Sequence, residues 1–88
     1  KAIITVVGGD KMGIIAKVSA YLAKHSINID DITQTVLSGN FVMMMIVDFS
    51  AADLAIDQVR TELTEEGHSL GVEVNVMNEK VFSEMHRI

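Results

Sequence analysis

The strongest constraint on the fold of this chain is the way its hydrophobic period changes along it. Residues 2–7, AIITVV, are a short apolar, β-branched run that stops at Gly8 and Gly9. Such a run reads as a strand buried on both faces or nearly so. From Gly13 the period lengthens: Ile15, Val18 and Leu22 recur at three- and four-residue steps with Ile14 beside them, while Lys17 and Lys24 fall on the other side. That is an amphipathic helix ending near His25–Ser26. Residues 27–37, INIDDITQTVL, alternate again, but Ile27 and Ile29 have the opposite parity to Ile32 and Val36. A one-residue bulge near Asp30–Asp31 would return all four to one face. SGN at 38–40 supplies hairpin chemistry, and FVMMMIVDF at 41–49 is a nearly unbroken apolar strand.

A second helical segment spans 51–66, with Ile56, Val59 and Leu63 as its stripe, Asp53 or Ser50 as candidate caps and Gly67 as the stop. Residues 72–77, VEVNVM, alternate with Val72, Val74 and Val76 inward. Val81, Phe82, Met85 and Ile88 then follow at helical spacing. The order is β-α-β-β-α-β plus a short C-terminal helix, the α+β ferredoxin-like pattern, with antiparallel sheet order 4-1-3-2 and both helices on one face. Residues 1–78 form the domain. Residues 79–88 form an amphipathic helix expected to pack on it or on a partner.

Eighty-eight residues of which 49% are hydrophobic, with a mean hydropathy of +0.34, leave more apolar surface than two helices can cover. The free face of strands one and three therefore calls for a partner, most simply a second copy. A net charge of −5 argues against a nucleic-acid or anionic-membrane surface. No cysteine means no disulfide framework and no thiolate chemistry. No signal peptide or membrane-length apolar run is visible, so the cytoplasm is the expected location.

Chemistry is sparse. The first loop, GGDKMG, has a single cation, Lys11, too few for a phosphate cradle, and it lacks the Gly-Lys-Ser/Thr ending of a P-loop. The central strands carry Ile, Val and Met where an RNA-binding sheet carries aromatics. His25, His68 and His86 are isolated in sequence, and Asp30 and Asp31 are adjacent rather than spaced for acid–base work. The Met43–Met44–Met45 run reads as adaptable core or interface. No nucleophile–base pair, metal cluster or cofactor motif is visible, so no enzymatic activity, metal or cofactor is expected.

The stretch GGDKMGIIAKVSAYLAKHSINIDDI resembles the signature of ACT domains, small amino-acid-sensing regulatory modules. The matching positions are Asp10 in the loop, Gly13 at the helix start, and Asn28–Ile29 opening the second strand. NIDDITQTV, the apolar third strand and the terminal helix look like the stand-alone ACT proteins related to the ACT parts of formyltetrahydrofolate deformylase and of the glycine-cleavage-system repressor. Met12 stands where many relatives have proline, so the loop loses pre-organisation. The resemblance implies a regulatory homodimer binding an amino acid or similar metabolite. Gly9, Asp10, Lys11, Met12, Gly13, Ile14, Asn28 and Ile29 are its candidate site residues.

The physical chemistry is compatible. Gly8, Gly9 and Gly13 admit close approach, the free N–H groups at a helix start favour a carboxylate, and Asp10 could take an ammonium. Asn28 can both donate and accept. The alternative is an interaction subunit of the same fold with no ligand, serving an unidentified protein partner.

Overall fold

A computed structural model describes residues 1–9 and 12–80. Of the expected C-terminal helix at 79–88, Glu79 and Lys80 are helical, while residues 81–88 lie outside the described residues, as do Asp10 and Lys11. Six elements follow in the order β1 (Ala2–Gly8), α1 (Met12–Lys24), β2 (Asn28–Leu37), β3 (Asn40–Asp48), α2 (Ile56–Leu70) and β4 (Glu73–Asn78). The sheet runs β2-β3-β1-β4, the expected order read from its other edge, and every neighbouring pair is antiparallel.

Both helices pack on one face. Ala2, Ile4 and Val6 of β1, Phe41, Met43, Met45 and Val47 of β3, and Val74 and Val76 of β4 meet Ile14, Val18 and Leu22 of α1 and Val59 and Leu63 of α2 in one core. Ile14 leads the α1 stripe, and Ile15 is only half-buried. Met44 faces away from the helices and is 37% exposed.

The bulge forms where alternation required it. Ile29 pairs with Val47 and Asp31 with the next residue back, Ile46, leaving Asp30 as the extra residue. Ser38 and Gly39, with φ of 52° and 80°, make the two-residue hairpin turn between Leu37 and Asn40, where positive φ at both positions matches strand twist.

The expected bounds of α2 are corrected at both ends. It starts at Ile56 behind Ala55, which makes no side-chain cap. The two candidate caps are occupied elsewhere: Ser50 N–H donates to Asp48 Oδ1 (2.8 Å), and Asp53 Oδ1 lies 2.8 Å from His25 Nδ1. At the other end the helix runs through Gly67 and stops at Gly71, which takes the left-handed conformation at φ 74°. Val72 N–H then bonds Gly67 O (2.9 Å) and Gly71 N–H bonds His68 O (3.2 Å). α1 ends by the same device with Ser26 at φ 58°, Ile27 N–H reaching Leu22 O (2.9 Å) and Ser26 N–H reaching Ala23 O (3.2 Å).

Candidate functional site

The loop after β1 and the start of α1 form one end of the molecule. Gly8 is a packing residue, since a Cβ there would overlap Val72 Cγ1. Gly9 and Gly13 differ: among the described residues a Cβ at either meets nothing within 4 Å, on both sides of the turn into α1. Ile14 turns its side chain into the core at 2% exposure, which leaves only its backbone N–H for a ligand. Gly9 also closes one end of an open groove of ≈ 950 Å³ that follows β4 and is walled by Arg60, Thr64 and His68 of α2.

Asn28 and Ile29 are not beside this loop in the same chain. Gly8 pairs with Phe41, whereas Asn28 pairs with Asp48, seven residues further along β3. At about 3.3 Å per residue the two ends are about 23 Å apart. The structure therefore brings Gly9, Gly13 and Ile14 together and puts Asn28 and Ile29 at the opposite end. Ile29 is half-buried on the helix face.

Asn28 is held in a polar chain. Its Nδ2 donates to Asp30 Oδ1 (2.8 Å), and Lys1 Nζ lies 2.7 Å from Asp30 Oδ2. The bond from Lys1, then that from Asn28, holds the Asp30 carboxyl below its ordinary value of 3.8. Asp30 in turn raises Lys1 above its ordinary 10.5. Asp48 is lowered chiefly by the Ser50 backbone N–H. The bulge makes this possible, because Asp30 is the residue without a ladder partner.

Two further contacts flank this end and had no signal in sequence spacing. His25, already bonded to Asp53 through its ring, accepts the Asp53 N–H at its carbonyl (3.3 Å) and lies against the Tyr21 ring, centroids 4.7 Å apart. Tyr21 OH donates to Glu62 Oε1 (2.7 Å), tying α1 to α2, and burial, then Glu62, pushes the phenol well above its ordinary value. Tyr21 lies near the end of α1 and His25 just past it, and sequence spacing did not reveal their partners, 41 and 28 residues away. Among the described residues no group of three or more His, Asp or Glu could hold a metal, and no helix is long and apolar enough to cross a membrane.

Known proteins place this architecture. Relatives described as UPF0237 proteins include one from Methanopyrus kandleri, 48% identical over 88 residues, covering 100% of this chain and 98% of that one. Another, from Pyrobaculum aerophilum, is 53% identical over 87 residues, covering 99% and 97%. Among solved structures, an ACT domain protein from Streptococcus pneumoniae superposes with a TM-score of 0.81 at 44% identity, over 92% of this chain and 91% of that one. A formyltetrahydrofolate deformylase from Pseudomonas syringae pv. tomato gives 0.77 at 23% identity, over 86% of this chain but 26% of the enzyme, and shares the fold alone. The family profile described as ACT domain matches residues 1–77. With the βαββαβ order and the Gly13–Asn28 spacing, this shows that the chain belongs to the ACT domain family.

Proposed function

We propose that this chain is a non-enzymatic regulatory module that binds an amino acid or similar small metabolite at a site shared by two copies of itself. The observation that carries this reading is the division of the candidate site. One end offers open backbone at Gly9 and Gly13 beside the start of α1, where free N–H groups suit a carboxylate. The other offers the Asn28 amide about 23 Å away. The loop end carries partners for both charged termini of an amino acid, and the Asn28 amide of a second copy would add a donor and an acceptor from the other side. Asp10 supplies the counter-charge for the ammonium in this reading.

The test is thermal denaturation against the twenty amino acids and a set of folate-pathway metabolites. A specific ligand raises the midpoint by mass action. Asp10→Ala and Asn28→Ala then each weaken binding by about 1–3 kcal/mol, the usual loss for a charge-assisted or buried hydrogen bond, with the fold intact. If no compound shifts the midpoint, the remaining reading is an interaction subunit with an empty loop. The exposed apolar residues of β2, Ile32, Val36 and Leu37, are the observation that favours it.

A further inference from the structure

We infer that residues 81–88 continue a helix capped by Asn78 and lie across the open face of their own sheet, so that this face is closed from within the chain rather than by a second copy. The inference holds whether or not the chain binds an amino acid.

Side chains alternate across a strand, so Ile3, Thr5 and Val7 of β1 point away from both helices. Register arranges that face in rows. Ile3 stands between Ile46 of β3 and Met77 of β4, an apolar row. In the next row Thr5 stands between Met44 and Asn75, and in the third Val7 is flanked by the charged Glu73. The open face is therefore most apolar at the end where β4 stops.

Burial follows the same gradient. Ile3 is 3% exposed although neither helix lies on its side of the sheet and it takes no part in the core they build. Ile46 and Met77 beside it are half-buried. Val7, on the same strand and the same face, is 36% exposed.

The chain leaves the sheet at this end. Asn78, the last residue of β4, pairs with Ala2. Glu79 N–H then donates to Lys1 O (3.1 Å), and Lys80 N–H donates to Asn78 Oδ1 (2.8 Å). A side-chain oxygen that accepts the N–H two residues on is the bond by which an N-cap residue starts a helix. Glu79 and Lys80 are helical, and an acidic residue in the first turn suits that end of the dipole.

Continued at 3.6 residues per turn, the helix gathers Val81, Phe82, Met85 and Ile88 on one side. Glu79 and Lys80 then lie about 130° from the middle of that stripe, one to each side, in keeping with the exposure of both. Eight residues at 1.5 Å each reach about 12 Å, and neighbouring strands are about 4.8 Å apart. A helix laid across the strands from the end of β4 thus passes over β1 and ends over β3. Those are the strands that carry Ile3, Ile46 and Met44. The anchor at Asn78 puts the stripe beside the apolar row of its own chain, with no span left to cross.

The test uses the whole chain, which has no native cysteine. Ser83 falls opposite the stripe, so Ser83→Cys can carry a nitroxide label without entering the contact. The label is expected to broaden the amide signals of Thr5, Met44 and Ile46 and to leave those of Lys17 and Lys24 on α1 sharp. In a mixture of isotope-labelled wild-type chains with nitroxide-bearing chains lacking the isotope, the open-face signals should stay sharp. Broadening in the mixture would give the face to a second copy's tail, and no broadening in either sample would leave it uncovered; each overturns the proposal. Asn78→Ala is expected to reduce the broadening, and Asn78→Asp, which keeps the cap oxygen, to restore it. Full broadening in Asn78→Ala would remove the cap. Met85→Asp, on the stripe, should lower the thermal midpoint while Ser83→Asp leaves it in place; equal midpoints would overturn the contact.

Discussion

Gly67 stands inside α2 because β4 passes too close for anything larger. A Cβ there would lie 2.7 Å from Val74 Cγ2 and 3.1 Å from the Val72 carbonyl oxygen. The Val74 methyl can rotate away, but the backbone oxygen cannot move without the strand. Alanine favours a helix over glycine by about 1 kcal/mol, whereas overpacking costs about 1–3 kcal/mol. Gly67→Ala is therefore expected to lower stability by up to about 2 kcal/mol, read as a lower urea midpoint with an unchanged slope. The sequence suggested a helix stop at this glycine because a local pattern cannot tell a glycine needed for its φ from one needed for its missing side chain. Gly71, at φ 74°, is the former. At Gly9 and Gly13 neither packing demand applies, and that open space is why they remain the candidate ligand backbone.

β2 shows how far alternation carries at the scale of an element. Parity alone located the bulge, since Ile27, Ile29, Ile32 and Val36 could not otherwise share a face, and Asp30 is the residue left over. Exposure was not legible. Ile32 and Val36 face the helix side but stay open, because coverage depends on how far two helices reach across a sheet whose edge β2 forms. The start of α2 was misplaced for a related reason: Ser50 and Asp53 are good caps, but one serves the turn after β3 and the other meets a histidine 28 residues earlier. The bulge also yields a pH prediction. The Asp30 carboxyl is lowered in the fold, so its contribution is present above the unfolded value near 3.8 and is lost as pH falls through the lower folded value. A carboxyl-carbon NMR titration is expected to place Asp30 below 3.8, and Lys1→Ala to move it upward as the first of its two bonds disappears. An Asp30 midpoint unchanged by Lys1→Ala would show that the ion pair does not persist in solution.

For the whole molecule, strand order and helix placement were legible in sequence because both follow from period and right-handed crossover. The separation of the two parts of the candidate site followed from no period or spacing and was suggested only by the family resemblance. GGDKMG and Asn28–Ile29 are joined by one helix, and that helix carries the chain from one end of the sheet to the other. A site divided this way couples ligand to assembly. A ligand touching both copies strengthens the dimer by the same free energy by which the dimer strengthens its binding. Val36→Lys, on the exposed apolar strip of the edge strand β2, is expected to weaken dimerisation and amino-acid affinity together if that strip is the contact, measured by sedimentation and calorimetry across a concentration series. A monomeric variant with full affinity would place the site within a single chain.

The central position of β1 has a consequence for how the chain comes into being. β1 is made before the other three strands, yet its two neighbours are β3 and β4, and its register with β4 joins Ala2 to Asn78. Until the last strand leaves the ribosome, one side of the earliest strand is an apolar edge without a partner. Closing so long a loop costs entropy before any ladder bond repays it, and folding dominated by distant pairings is slow. The sheet is thus completed only once β4 has been made, and until then AIITVV lacks the neighbour that pairs it on that side.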